Sequence, residues 1–127
     1  MKAITIRQPW AWAVVHAGKD IENRTWSPSH RGELAIHAAA RMHTPTSLPE
    51  GVRSPDTDAL TLGAVIGVVD LVDVVEQSRS RWFIGPLGLV LAKPRPLERP
   101  VPCRGALNLW NLPDDVEREV RAQLRRA

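Results

Sequence analysis

The sequence predicts an α+β protein in which a small β-barrel, closed or nearly closed, carries helices at its sides. Five or six short segments rich in β-branched residues indicate strands, and few segments have helix signals. The chain has 11 prolines, and the connections between the predicted strands are rich in them. With 127 residues, the chain is long enough for one core and short for two. We therefore expect a single domain over 1–127, with a core at 2–110 and a C-terminal helix at about 113–126.

Runs of β-branched or alternating residues predict five strands, at 2–6, 20–26, 33–39, 63–75 and 86–97. A segment that is apolar nearly all round begins at Pro9 and stops before Gly18, which predicts a short buried helix. Trp10 and Trp12 on this helix are therefore expected in the core rather than as platforms for a ligand. Residues 101–110 are expected to complete the β portion.

Glycine and proline mark the irregular positions. Gly67 inside the longest strand predicts a bulge or kink, and Pro94 and Pro96 predict that their strand lies at a sheet edge. Residues 41–62 contain several prolines among Ser and Thr and predict a long loop, with a brief helix around 56–61.

The last segment has the pattern of an amphipathic helix. Its acidic residues come early and its basic residues late, as the helix dipole favours. Val116, Val120 and Leu124 recur at helical spacing and are expected to form its apolar stripe.

Composition narrows the class of protein. No apolar run is long enough to cross a membrane, and the N-terminal residues lack a signal-peptide core. Cys103 is the only cysteine, which excludes an internal disulfide and agrees with a reducing compartment. We therefore expect a cytoplasmic protein without a membrane segment.

Charge is unevenly distributed along the chain, whose formal net charge is +3. Residues 78–104 hold six basic residues and one acidic residue, a local charge of +5, whereas residues 50–76 hold one basic and six acidic residues, a local charge of −5. A basic stretch of this density is able to attract phosphates. The alternative is an arginine-rich surface without a specific ligand.

The run from Lys19 to Trp26, K-D-I-E-N-R-T-W, carries the densest chemistry of the chain. If it is extended, Glu22, Arg24 and Trp26 share one face of the strand. A carboxylate paired with a guanidinium beside an indole suits a planar polar ligand such as a nucleobase. A solvated Glu–Arg pair on an edge strand is the alternative.

Several motifs of the chain resemble, in order and spacing, those of the ASCH domain family, which is related to the PUA domains. They are Ile6-Arg7-Gln8-Pro9-Trp10-Ala11, Lys19-x-x-Glu22-Asn23-Arg24-x-Trp26, Arg31-Gly32-x-Leu34-x-Ile36-His37-Ala38, Gly67-x-Val69-x-Leu71 and Gly105-Ala106-Leu107-x-Leu109-Trp110. One position departs from the pattern, because the family has glycine two residues before the lysine, where this chain has Ala17 followed by Gly18.

The resemblance implies a PUA-like barrel that binds RNA or a modified nucleotide in a cleft, with no cofactor. Lys19, Glu22 and Arg24 are then expected to form the polar floor. The remaining expected ligand-binding residues surround that floor and are Arg7, Gln8, Trp26 and His37. Trp26 or Trp82 is expected to stack a base, although Trp82 as a loop anchor and His37 as a structural histidine are open alternatives. Alanine at Lys19 or Glu22 is expected to weaken binding with little loss of stability.

The alternative function is a small hydrolase of the same fold, either a ribonuclease or an N4-acylcytidine amidohydrolase, with Lys19 and Glu22 as the catalytic residues. The amidohydrolases have a threonine three residues after the lysine, where this chain has Glu22, while Thr25 is out of phase. Asp70 or Asp73 is available as a distant carboxylate. A protein-recruiting module is a third, weaker interpretation. No metal site is expected, since the four histidines lack a metal-ligand spacing.

Overall fold

A computed structural model describes residues 1–42 and 48–127. These residues form six strands and two α-helices: β1 (Lys2–Gln8), α1 (Trp10–His16), β2 (Ile21–Arg24), β3 (Gly32–Met42), β4 (Ala64–Val75), β5 (Leu87–Pro102), β6 (Leu109–Asn111) and α2 (Asp114–Arg126). The long predicted loop is shorter than expected, because Arg41 and Met42 continue β3. A single 3₁₀ turn, Thr57–Ala59, stands where the brief helix was predicted. Residues 43–47 of that loop lie outside the described residues.

The six strands form one open sheet in the order β2-β5-β4-β3-β1-β6. Among the strand pairs of the described residues, only β1 and β3 run parallel. The α+β class is confirmed, but the predicted closed or nearly closed barrel is wrong, because within the described residues no ladder joins the edge strands β2 and β6. Helices cover both faces of the sheet, so its apolar side chains are buried without closure.

The two largest hydrophobic clusters of the described residues lie on opposite faces of the sheet. On one face, Val14 of α1 packs with Leu34 and Ile36 of β3. On the other face, Val116 and Val120 of α2 belong to the core cluster that contains Ala35 of β3 and Val65 and Val68 of β4. The stripe predicted for the C-terminal helix is thus the surface that this helix buries. Within the described residues, no helix is long and apolar enough to cross a membrane.

The predicted bulge has a structural counterpart, whereas the strand predicted at a sheet edge is not an edge strand along its whole length. The β4 register shifts next to Gly67, where a Cβ atom would lie 2.8 Å from Val15 Cγ2 and 3.1 Å from the Arg95 carbonyl. Strand β5 lies inside the sheet, but only its first part, Leu87–Val90, pairs with β2. The part with Pro94 and Pro96 has β4 as its one strand partner in the described chain, so its other side tolerates residues without an N–H group.

Candidate functional site

The first feature of the candidate site is a network of ion pairs centred on Glu22. Lys19 Nζ donates to Glu22 Oε1 at 2.7 Å and also to the Ile21 carbonyl, while Arg24 Nη1 donates to Glu22 Oε2. Lys19 and Glu22 are only 5% and 6% exposed. Arg24 also donates from Nη2 to the Thr5 carbonyl at 3.0 Å, which ties β2 to β1. Burial makes this network a fixed group of donors and acceptors rather than a solvated surface pair.

The end of α1 places Lys19 in this network. Gly18 has a φ of +72°, the left-handed conformation that lets the chain leave a helix and that favours glycine. The Lys19 N–H then donates to the Ala13 carbonyl at 3.1 Å, which holds the start of the motif against the helix. The departure from the family pattern, glycine at 18 instead of 17, therefore coincides with the residue that makes this turn.

A cavity of about 490 Å³, the first pocket, opens above Lys19 and Glu22. Its lining is Trp10, Lys19, Glu22, Asn23, Leu48, Pro49, Arg81, Trp82 and Ile84. Trp10 is half-buried, and the Arg81 guanidinium lies 5.5 Å from the centroid of the Trp82 ring. The first pocket thus combines two indoles, a buried ion pair and an exposed cation at the rim, the mixture of apolar walls and few polar groups typical of ligand sites.

Asn23 holds the outer wall of the first pocket, a role that the sequence does not predict. Its Nδ2 donates to the Trp82 carbonyl at 3.0 Å, and its Oδ1 accepts from the N–H groups of Ile84 at 2.8 Å and Gly85 at 3.0 Å. The side-chain amide of Asn23 therefore holds segment 82–85 in the way that the backbone of a neighbouring strand otherwise does. Asparagine is disfavoured inside strands, and its presence in β2 is the signal that points to such a role.

A second cavity of about 320 Å³, the second pocket, receives the other part of the predicted cluster. Its lining is Ile4, Thr5, Arg7, Arg24, Trp26, Ala39, Ala106, Leu107 and Asn108. The predicted residues are therefore divided between two pockets: Lys19 and Glu22 line the first, whereas Arg7, Arg24 and Trp26 line the second. Strand β2 ends at Arg24, which is why Trp26 does not continue along the wall that contains Glu22.

The comparisons with known proteins agree with this architecture. The family model of the ASCH domain matches residues 4–89. The chain belongs to the ASCH domain family. Activating signal cointegrator 1 of Homo sapiens is 25% identical to this chain over an alignment of 138 residues that covers 95% of this chain. The Mus musculus protein of the same name is 24% identical. The alignment covers 24% of each of these relatives, so the chain spans about a quarter of their length.

Solved ASCH structures have the same fold. The crystal structure of the ASCH protein of Zymomonas mobilis has a TM-score of 0.60 over 95% of this chain and 93% of its own. A point mutant of that protein has a TM-score of 0.63, over 95% and 96%. Both are 16% identical to this chain, and at this identity the likeness concerns the fold alone.

Two residues expected around the ligand have internal partners in this ASCH domain. Gln8 is 1% exposed; its Oε1 accepts from the Trp12 N–H at 2.8 Å, and its Nε2 donates to the Thr61 carbonyl at 3.0 Å. This places Gln8 at the start of α1, where it links the helix to the chain before β4. Gln8 lines neither the first nor the second pocket.

His37 is also 1% exposed and lies within a chain of hydrogen bonds. Its Nε2 lies 2.8 Å from the Cys103 carbonyl and must donate to it, so Nδ1 accepts from Thr5 Oγ1 at 3.2 Å. Thr5 Oγ1 in turn accepts from Trp110 Nε1 at 3.1 Å. Burial lowers the pKa of His37, and the bond to Cys103 opposes this only in part. With both ring nitrogens occupied, His37 fits the structural alternative, and it lines neither the first nor the second pocket, although it lines a separate surface cavity beside Cys103.

The basic stretch 78–104 is not one uniform surface. Arg81 lines the first pocket, but Arg95 pairs with Asp70 at 2.6 Å and Arg99 lies 3.6 Å from Glu119. Part of the predicted positive charge is therefore compensated locally. Within residues 1–42 and 48–127, no three His, Cys, Asp or Glu side chains are grouped so that they could hold a metal ion.

Proposed function

We propose that residues 1–127 form a single ASCH domain that binds an unpaired RNA base, or a modified nucleotide, in the first pocket. The observation that carries the proposal is the buried Lys19–Glu22 ion pair at the floor of a cavity with Trp10 and Trp82 in its walls. Aromatic rings that stack on bases and a cation that meets phosphate are the usual means of holding unpaired nucleic acid.

The ion pair offers a donor and an acceptor side by side. A lysine ammonium has three N–H donors, of which Lys19 uses two, on Ile21 and Glu22, so that one remains. Each oxygen of Glu22 has accepted one bond from a side chain and keeps a second lone pair. A ring nitrogen next to an exocyclic amine complements this pair of groups. With Lys19 facing the ring nitrogen and Glu22 facing the exocyclic group, the proposal favours cytosine or adenine over uracil, whose protonated N3 and exocyclic carbonyl oxygen have the opposite pattern.

Binding of short labelled single-stranded RNA, measured by fluorescence anisotropy, tests the proposal. We expect oligocytidine to bind more tightly than oligouridine. Arg81→Ala should weaken both, and Arg118→Ala is the matched control, because Arg118 is exposed and lines neither pocket. Equal affinity for the two RNAs, together with an Arg81→Ala variant that binds like the control, would refute the proposed site.

Salt dependence separates RNA from a free nucleoside as the ligand. If the basic residues near the first pocket contact phosphates, affinity falls several-fold between low and physiological salt, because bound phosphates release counterions. A flat salt profile with retained base preference would identify a nucleoside or modified base as the ligand.

The hydrolase alternative has weaker support from the geometry. Both oxygens of Glu22 accept bonds from basic side chains, which weakens its role as the acid-base partner of a ribonuclease. The described lining of the first pocket contains no Ser, Thr or Cys as the nucleophile of an amidohydrolase. Asp70 pairs with Arg95, and neither Asp70 nor Asp73 lines this pocket. Incubation with single-stranded RNA and with N4-acetylcytidine, read by mass spectrometry beside Lys19→Met, tests this alternative. Product that is absent with Lys19→Met would make the protein an enzyme.

A further inference from the structure

The second pocket collects hydrogen-bond donors without a carboxylate. Arg7 and Arg24 give its lining two positive charges, and no described residue of the lining is acidic. The first pocket differs, because Glu22 belongs to its floor. A pocket with only positive formal charge favours an anionic group.

Several of these donors have no partner in the described part of the protein. Arg24 has five N–H donors and uses three, on Glu22, on the Asn23 carbonyl at 3.2 Å and on the Thr5 carbonyl at 3.0 Å, which leaves two, including the one on Nε. The exposed Arg7 side chain and the indole N–H of half-buried Trp26 make no hydrogen bond or ion pair to any described residue.

Arg24 also holds its position without a ligand, since its three bonds anchor it to β2 and β1. A guanidinium that is fixed in this way loses less conformational freedom when it binds an anion. Arg7, by contrast, is exposed and is not held by hydrogen bonds or ion pairs to any described residue. The second pocket thus contains one preorganised cation, one free cation and an indole.

We propose that the second pocket is a phosphate site. Guanidinium groups bind phosphate oxygens through paired N–H donors, and the Trp26 indole adds a further donor. The apolar side chains of Trp26 and Leu107 provide a surface for the attached sugar. The phosphate is either the diester of an RNA strand or the monoester of a free nucleotide.

The site deepens the proposed function and rests on it for the identity of the group attached to the phosphate. Lys19 and Arg24 hold opposite oxygens of the same Glu22 carboxylate, one at each pocket. A base in the first pocket and a phosphate in the second are therefore separated by one carboxylate, a span that a single nucleotide can bridge. The ligand would then be a nucleotide rather than a nucleoside.

The indole N–H signals of the ¹⁵N-labelled full chain test both sites separately. Trp26 is assigned with Trp26→Phe and Trp82 with Trp82→Phe, and the protein is titrated with inorganic phosphate and with cytidine. We expect phosphate to shift the Trp26 signal in a saturable manner, and cytidine to shift the Trp82 signal. Arg7→Ala should weaken phosphate binding about tenfold, the size expected for the loss of a hydrogen bond between charged groups. The control Arg118→Ala should bind phosphate as the parent does.

The outcomes for the two proposals are distinguishable. Saturable phosphate shifts at Trp26 without cytidine shifts at Trp82 would support the phosphate site and count against the base pocket. Phosphate shifts that do not saturate, or an Arg7→Ala variant that binds phosphate like Arg118→Ala, would overturn the phosphate site even if cytidine binds.

The source of the phosphate follows from two further ligands. If cytidine 5′-monophosphate binds more tightly than the dinucleotide CpC, the natural ligand is a free nucleotide. If CpC binds more tightly, the second pocket receives the diester of RNA. Binding of both ligands that is no tighter than cytidine alone would refute a shared nucleotide.

Discussion

Replacing Glu22 by glutamine should destabilise the protein more than removing its partner Lys19. Glutamine keeps the shape of the side chain but leaves the Lys19 ammonium, whose side chain is 4% exposed, without its carboxylate. Leaving a buried charge unpaired costs about 3–5 kcal/mol. Lys19→Met removes the ammonium and leaves Glu22 paired with Arg24, whose side chain is 25% exposed. We expect a loss of about 1.5–3 kcal/mol there, the range for one hydrogen bond to a charged group.

The double variant gives the sharper result. With both Lys19→Met and Glu22→Gln, no unpaired lysine remains, so the double variant should be more stable than Glu22→Gln alone. The deviation from additivity should therefore be at least as large as the Lys19→Met loss of about 1.5–3 kcal/mol, which is the upper part of the range for residues in contact. Urea unfolding followed by tryptophan fluorescence measures all three variants near neutral pH.

Glu76→Gln is the matched control, because Glu76 is exposed and makes no ion pair with any residue that the structure describes. Its effect should stay within about 0.5 kcal/mol of the parent. A free energy of unfolding for Glu22→Gln that lies within about 0.5 kcal/mol of the parent would show that the ion pair is solvated. A double variant whose loss of stability equals the sum of the two single losses would show the same, and the reasoning from burial would be wrong. The sequence alone predicts that alanine at Lys19 or Glu22 costs little stability. Because both side chains are buried, we now expect these substitutions to lower stability measurably.

Three further predictions concern other parts of the fold. Asn23→Ala should increase the amide exchange rate of segment 82–85 at least tenfold in hydrogen-exchange measurements, because the segment loses three hydrogen bonds; unchanged exchange would show that other contacts hold it. Since burial lowers the pKa of His37 below its ordinary 6.5, the unfolded chain binds more protons just below that pH, so stability should be complete above pH 6.5 and decline as the pH falls. His37→Gln should flatten this decline in urea unfolding between about pH 7.5 and 5.5, and an equally steep decline would assign it to another group. Gly67→Ala should lower stability by about 1–3 kcal/mol in thermal unfolding, because its Cβ would overlap Val15, and a neutral result would mean that Val15 moves aside at little cost.

Local patterns predict most of the elements of this fold. Alternation and β-branched runs locate the strands, and the acidic-to-basic polarity of the last segment locates α2 within about a residue of its observed ends. Barrel closure was predicted wrongly, because closure depends on whether edge strands far apart in the chain pair. Here β2 and β6 contain four and three residues, and α1 and α2 cover the two faces instead.

The candidate site was predictable in its chemistry and not in its layout. Residue types and spacing identify the Lys19, Glu22 and Arg24 network, because a short motif is local in space as well as in sequence. The division into two pockets depends on where β2 ends and on which distant loops surround it. Asn23 was missed for the same reason, since its partner carbonyl, on Trp82, lies 59 residues further along the chain.

The pairing of β1 with β6 affects where the limits of this domain can be drawn. The family match ends at residue 89, inside β5, whereas Lys2–Ile4 pair with Leu109–Asn111 and α2 covers one face of the sheet. A fragment of residues 4–89 would lack β6, which pairs with β1, and would keep only the first three residues of β5, which pairs with β4. Strands β1 and β4 would both become open hydrogen-bonding edges beside a bared apolar surface, the arrangement that promotes aggregation. We therefore expect the smallest fragment that folds stably to extend through α2, well past the residues by which the family is recognised.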